Sequence, residues 1–230
     1  MDTDTEITKE KNKFPIKIIA LFAAVIFVVL FIFNYSRTIS YIDRHFGPPK
    51  IAENVKVTIP EGSTNIQIAN LISKQILNFD SKKFIESASS LQGYLFPDTY
   101  FFYKSETPEN VILRLRTNFD KKSPTESIEI LTMASILEEE ATQNDIKIIS
   151  GILWKRLKKN MPLQVDADKS TYLKVGLPDM PISNPGLTSI NAAMNPTESS
   201  YYYYIHDKDG TAHFANTYEE HKLNIKKYLK

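Results

Sequence analysis

The run Ala134-Ser-Ile-Leu-Glu-Glu-Glu-Ala141 puts three carboxylates at the end of an otherwise apolar segment. On a helix each residue turns by about 100°, so Ile130, Leu131, Ala134, Leu137 and Ala141 form one apolar stripe. Glu138 falls on that stripe, with Glu139 roughly opposite and Glu140 well to the side. A carboxyl group in apolar surroundings is harder to ionise. A general acid that protonates a glycosidic oxygen needs that property. The spacing alone favours a second reading, in which all three acids cover a solvated face or pair with Lys and Arg.

Other chemistry is sparse. Cysteine is absent, which rules out disulfides, thiolate catalysis and Cys-based zinc sites. The four histidines, His45, His206, His213 and His221, are dispersed without metal-ligand spacing, so no metal is expected from the residues. Tyr100, Phe101, Phe102 and Tyr103 could stack on sugar faces, with at least two of them packing in the core instead. The net charge of +1 gives no electrostatic case for nucleic acid.

The elements that must hold these residues read as an α+β fold. A strand over 55–59 leads through Pro60-Glu-Gly62 to a helix capped by Ser63 or Thr64 and ending near Gln75. Asp80 or Ser81 starts a short helix, and Thr107-Pro108 opens another. Ser123, Pro124 and Glu126 read as a capping box that starts the helix carrying the glutamates, which runs to about Ala141. A further helix spans about 144–159, with the lone Trp154 packed in the core. Residues 161–186 read as loop, with turns at Asn184-Pro-Gly186 and Asn195-Pro196. Tyr201–Ile205 and Ala212–Ala215 form a hairpin, with two of its tyrosines facing inward and two outward. Thr217 and Glu220 cap a final helix.

The N-terminal part points to a membrane. Ile18–Phe33 reads IIALFAAVIFVVLFIF, without a charge, and the stretch 14–35 approaches the ~20 residues that a bilayer requires. No small-residue cleavage site follows, which favours a retained anchor over a signal peptide. Lys9, Lys11, Lys13 and Lys17 precede the uncharged run Ile18–Phe33, while only Arg37 and Arg44 follow it closely. That bias puts the N-terminus in the cytoplasm and the bulk of the chain on the outer side of the cytoplasmic membrane. The expected organisation is a tail over 1–13, a transmembrane helix over 14–35 and a connector over 36–54, with the remainder folded.

Several separated segments, taken in order, carry a resemblance: Val57-Thr-Ile-Pro-Glu-Gly62, Gly93-Tyr-Leu-Phe-Pro-Asp-Thr-Tyr100, Ala134-Ser-Ile-Leu-Glu138, Met161-Pro-Leu-Gln-Val-Asp166, Gly176-Leu-Pro178, Pro181-Ile-Ser-Asn-Pro-Gly186, Ala192-Ala-Met-Asn-Pro196 and Thr217-Tyr-Glu-Glu-His221. The series resembles the YceG-like family of endolytic murein transglycosylases over about residues 55–230. The resemblance implies an abbreviated LysM-like region over 55–90 and a mixed α+β catalytic domain over 91–230. It implies Glu138 as the catalytic acid and base, and substrate contacts from Gln164, Asp166, Tyr172, Asn184, Gln92 and Tyr100. It implies no organic cofactor. The implied reaction is non-hydrolytic cleavage between N-acetylmuramic acid and N-acetylglucosamine, leaving 1,6-anhydro ends, with peptidoglycan glycan strands as substrate and peptidoglycan synthases as partners. The chain departs from the family pattern where Gln92 replaces an acid, where Asp179 replaces a proline, and where the stretch from Asp166 to Gly176 is short, with Lys169-Ser-Thr-Tyr172 in place of a longer motif. These departures leave room for a protein that binds or scaffolds glycan without cutting it.

Overall fold

The computed structural model describes residues 25–38 and 54–229. Residues 25–38 form a helix, α1, and belong to a unit separate from the one that contains residues 54–229. Val25 to Phe33 leave large apolar side chains exposed wherever one occurs. The polar end of α1 is satisfied from within: Asn34, Ser36 and Thr38 each donate to the carbonyl four residues back. The helix therefore runs past residue 35 into the expected connector. Among the described residues no helix is long and apolar enough to cross a membrane. The tail, the first part of the expected anchor over 14–24, and connector residues 39–53 lie outside the described residues.

The second unit has two small antiparallel sheets embedded among helices, an α+β arrangement. Strand β1, Asn54–Thr58, pairs with β2, Thr99–Tyr103, from Asn54 opposite Tyr103 to Thr58 opposite Thr99. Strand alternation buries Val57, Tyr100 and Phe102 and leaves Phe101 and Tyr103 outside. Helix α2, Asn65–Ser73, starts at a capping box in which Thr64 and Gln67 satisfy each other's backbone N–H groups. Helix α3, Ser81–Ser87, is capped by Asp80, and α4, Pro108–Lys122, by Thr107 with Pro108 in the first turn. Together these elements enclose one core, from Val57 and Ile68 through Phe84 and Phe102 to Leu115. The line drawn at residue 90 thus falls between α3 and β2, inside a single packed cluster.

Helix α5, Ile128–Glu140, is the spine of the second core. Every residue from Leu131 to Leu137 is buried, so the helix is covered on all sides until its last turn. Its start is later than expected. Ser127 is the cap, while Ser123 donates to Thr125 O at 2.6 Å, and Glu126 pairs with Arg116 at 3.0 Å. The capping box at Ser123 is therefore not formed, because Glu126 and Ser123 are engaged elsewhere. Helix α6, Ile146–Lys158, and helix α7, Leu187–Met194, pack against α5. The expected loop over 161–186 contains one 3₁₀ turn, Lys169–Tyr172. The hairpin of β3, Tyr203–His206, and β4, Ala212–Ala215, is covered by α8, Tyr218–Tyr228, which starts at the Thr217–Glu220 capping box. The tyrosines do not alternate inward and outward. β3 begins only at Tyr203, and all four rings are half-buried, with Tyr201 stacked on Phe214 and Tyr203 on His221.

Candidate functional site

Glu140 lies two positions after Glu138, a helical rotation of about 200°, so the last turn of α5 presents them in opposite directions. Glu140 faces a cleft of about 560 Å³ whose lining includes Arg156, Gln164, Asp166, Tyr172, Tyr204 and His221. Its carboxylate accepts the Ala167 N–H at 2.7 Å and the Tyr204 hydroxyl at 3.3 Å. Burial first, and the Glu140 charge second, push the Tyr204 phenol well above its ordinary value, so it remains a donor. The chain beyond Glu140 is fastened by Asp145, which accepts from the Thr142 N–H at 2.8 Å and hydroxyl at 2.9 Å and meets His206 Nε2 at 3.0 Å.

On the cleft wall, Asp166 accepts from Lys169 and, at 2.9 Å, from the Tyr172 hydroxyl. The bond from Lys169, with that from Tyr172, holds the Asp166 carboxyl below its ordinary value, whereas burial and the facing Asp166 raise the Tyr172 phenol. The floor holds Arg156, buried at 5% exposure and stacked over Tyr203 with 5.6 Å to the ring centroid. Burial pulls the guanidinium down and the surrounding tyrosines oppose this; among the described residues no carboxylate pairs with it. His221, in the same lining, is held below its ordinary value by burial and by Arg156, and its buried Nδ1 has no hydrogen-bond partner.

Glu138 points elsewhere. Its Oε2 accepts the Gly186 N–H at 2.8 Å, at the N-terminus of α7. The Pro60-Glu61-Gly62 turn closes over it. A Cβ on Gly62, which sits at φ +75°, would lie 3.3 Å from Glu138 Cγ and 2.9 Å from Glu139 Oε1. A Cβ on Gly186 would lie 1.9 Å from Glu61 Oε1. Glu61 accepts the next N–H, from Leu187, and its carboxyl is raised by burial first and by the Glu138 charge second. Two carboxylates thus share the first N–H groups of α7.

Of the residues expected to contact substrate, the cleft gathers Gln164, Asp166 and Tyr172. The others are turned to structural duties. Asn184 is fully buried, and its side chain makes four bonds: Oδ1 accepts from Gly93 N at 2.8 Å and Leu95 N at 3.0 Å, and Nδ2 donates to Ser63 O at 2.8 Å and Asn65 Oδ1 at 3.0 Å. No capacity is left for a ligand. Gln92 donates to Pro181 O and Ile182 O, each at 3.0 Å, and accepts from Asn65 N at 3.2 Å. An ionised acid there could not donate to the two carbonyls. Tyr100 is buried, donating to Phe96 O at 2.6 Å and accepting from Asn118. Arg156, Tyr204, His221 and Glu140 are cleft residues that the sequence reading did not single out. For Glu140 a signal existed, since a carboxylate two residues from another on a helix must face the other way. Among the described residues no cluster of acids and histidines could hold a metal ion.

A model of the YceG-like family matches residues 35–169 and 170–227. An endolytic murein transglycosylase of Bacillus subtilis is 30% identical over 76% of this chain and 65% of its own length. One of Streptococcus pneumoniae serotype 2 is 31% identical over 60% of this chain and 32% of its own. The chain thus spans 65% or less of the length of these relatives. The crystal structure of a YceG-like protein from Listeria monocytogenes superposes with a TM-score of 0.64 at 28% identity, covering 80% of each chain.

Proposed function

The chain belongs to the YceG-like family, and from that premise we propose that it is a peptidoglycan lytic transglycosylase whose acid–base group is Glu140. The observation that carries this reading is the lining of the cleft. Of the three consecutive glutamates, Glu140 alone lines it, opposite Gln164, Asp166 and Tyr172. Glu138, the residue expected from the motif and the apolar stripe, is bound to the backbone of α7 and serves to fix the last turn of α5. In the proposed reaction Glu140 donates a proton to the glycosidic oxygen as the bond from muramyl C1 breaks. The muramyl C6 hydroxyl attacks C1 and returns its proton to Glu140, closing a 1,6-anhydro ring. The Ala167 N–H and Tyr204 hydroxyl hold the carboxylate in place between the two transfers. One observation favours Glu138 instead. It is half-buried beside Glu61, whose carboxyl is held above its ordinary value.

The three Glu→Gln variants separate these readings when glycan strands are digested with the purified chain and the new ends are weighed. Glu140→Gln should lose about 10²–10⁴-fold in rate. Glu139→Gln should cut normally, and Glu138→Gln should retain substantial activity. A dead Glu138→Gln beside a normal Glu140→Gln would return the role to Glu138. Reducing ends in place of anhydro ends would indicate a hydrolase, and uncut strands a glycan-binding scaffold.

The reading extends to location. Residues 14–35 serve as a single-pass anchor that keeps the folded unit on the outer side of the cytoplasmic membrane, beside the strands and the synthases that extend them. Its support is the uncharged run from Ile18 to Phe33 and the exposed apolar face of residues 25–33.

A further inference from the structure

Gln164 has a backbone φ of +52°, a left-handed conformation that a non-glycine residue adopts only when its surroundings hold it. The hold is visible. Its N–H donates to Thr171 O at 3.1 Å, and its side-chain Oε1 accepts from Arg156 Nη2 at 2.6 Å. Arg156 in turn is fixed by burial, by its Nε–H to Pro162 O at 3.1 Å and by the Tyr203 ring.

A guanidinium can only donate, so the oxygen of the Gln164 amide must face Arg156. The two N–H bonds of Nε2 are left over, and among the described residues no acceptor meets them. Gln164 itself is exposed and lines the cleft. A free amide offers a ligand either a donor or an acceptor, but this one offers donors only.

We infer that Arg156 is a positioning residue that locks Gln164 as a donor, and that this donor pair reads the carbonyl of a sugar acetamide group. The inference rests on the cleft being the glycan site. It adds a selection rule: sugars with an acetamide carbonyl are taken in preference to sugars with a hydroxyl at the same carbon. The unpaired Arg156 charge supports the arrangement, since it strengthens the bond to Gln164 Oε1 and polarises the Nε2 donors toward the ligand.

The discriminating variant is Gln164→Glu. It keeps the size of the side chain and gives Arg156 an ion-pair partner, but it has no N–H to offer. A merely structural Gln164 would survive this change. The full chain in detergent is titrated with two neutral probes, the β-1,4-linked tetramer of N-acetylglucosamine and that of glucose. The parent should bind the acetylated tetramer about 10- to 100-fold more tightly, the range of a hydrogen bond made or lost in a cleft. Gln164→Glu should melt no lower than the parent and lose that preference, and Arg156→Gln, which frees the amide to turn, should reduce it. A parent without preference, or a Gln164→Glu variant that keeps it, would overturn the inference. An unchanged preference in a folded Arg156→Gln would remove Arg156 from the role, and Gln164→Glu decides alone if that variant does not fold. Strand cutting, measured separately, tests the transglycosylase reading: strands cut to anhydro ends without any acetamide preference sink only this inference.

Discussion

Side chains at this site divide by how much of their bonding capacity the fold consumes. Asn184 has all four of its bonds filled by protein, two of them from the backbone N–H groups of Gly93 and Leu95. Asn184→Ala would strand those donors in the interior at about 1–3 kcal/mol for each group. The variant should lose at least about 2 kcal/mol in urea unfolding, and a loss under about 0.5 kcal/mol would mean that water replaces the amide. Glu61 and Glu138 share a helix terminus, and that juxtaposition has a pH signature. The Glu61 carboxyl is raised from 4.5 by burial first and the Glu138 charge second. A carboxyl raised on folding favours the folded state most when protonated, below its unfolded value, and that contribution is lost as pH rises through its folded value. Glu61→Gln removes the cost of the charge at neutral pH. Its melting temperature should exceed the parent's near pH 7.5, and the gap should close below about pH 4.5. A gap that is negative at neutral pH, or constant across the range, would show that the Leu187 N–H bond outweighs the burial. Gln164, Asp166 and Tyr172 were legible as cleft residues from their motif, because motif order fixes neighbours in the chain. The duties of Asn184, Gln92 and Tyr100 were not, because their partners lie far along the chain and only the packed fold brings them together.

At the level of elements, the caps carried most of the readable information. Of the starts read as Ser63 or Thr64, Asp80 or Ser81, Thr107-Pro108 and the Thr217–Glu220 box, the caps are Thr64, Asp80, Thr107 and Thr217, each accepting a backbone N–H of the first turn. Helix α7 was missed. Its eight residues lie between Asn184-Pro-Gly186 and Asn195-Pro196, two turn signals close enough to pass for one loop, and its cap Gly186 has no side chain to announce it. What makes α7 a helix is burial of Ile190, Ala192 and Ala193 against α5, which is a tertiary fact. The segment after α7 crosses α6 at Gly151, where Thr197 N–H donates to Lys147 O at 2.8 Å. A Cβ on Gly151 would lie 1.9 Å from the Thr197 carbonyl oxygen. Gly151→Ala must push the two backbones apart, and should cost about 1–3 kcal/mol by urea unfolding even though alanine favours the helix. A variant as stable as the parent would mean that the crossing is loose.

On the scale of the whole molecule, α1 and the folded unit are separate bodies, and the proposed orientation makes a simple claim about them. A reporter active only outside the cytoplasm, fused after Lys230, should be on; activity of a cytoplasmic reporter at the same place would overturn the orientation and remove the cell wall from reach. The folded unit itself is stitched across long distances in sequence. Thr58 meets Thr99 across 41 residues, and Asn184 meets Ser63 across 121. The order of synthesis gives that stitching a temporal meaning. As the chain leaves the ribosome, β1 emerges with no strand to pair with until β2 has followed, and α2 has only α3 to pack against. Even then Ser63 O and the N–H groups of Gly93 and Leu95 wait for an amide that arrives close to the end. The first core therefore cannot reach its final form until the chain has been made as far as Asn184. Under the orientation proposed above, such a delay would let the polypeptide pass the membrane before its first core closes.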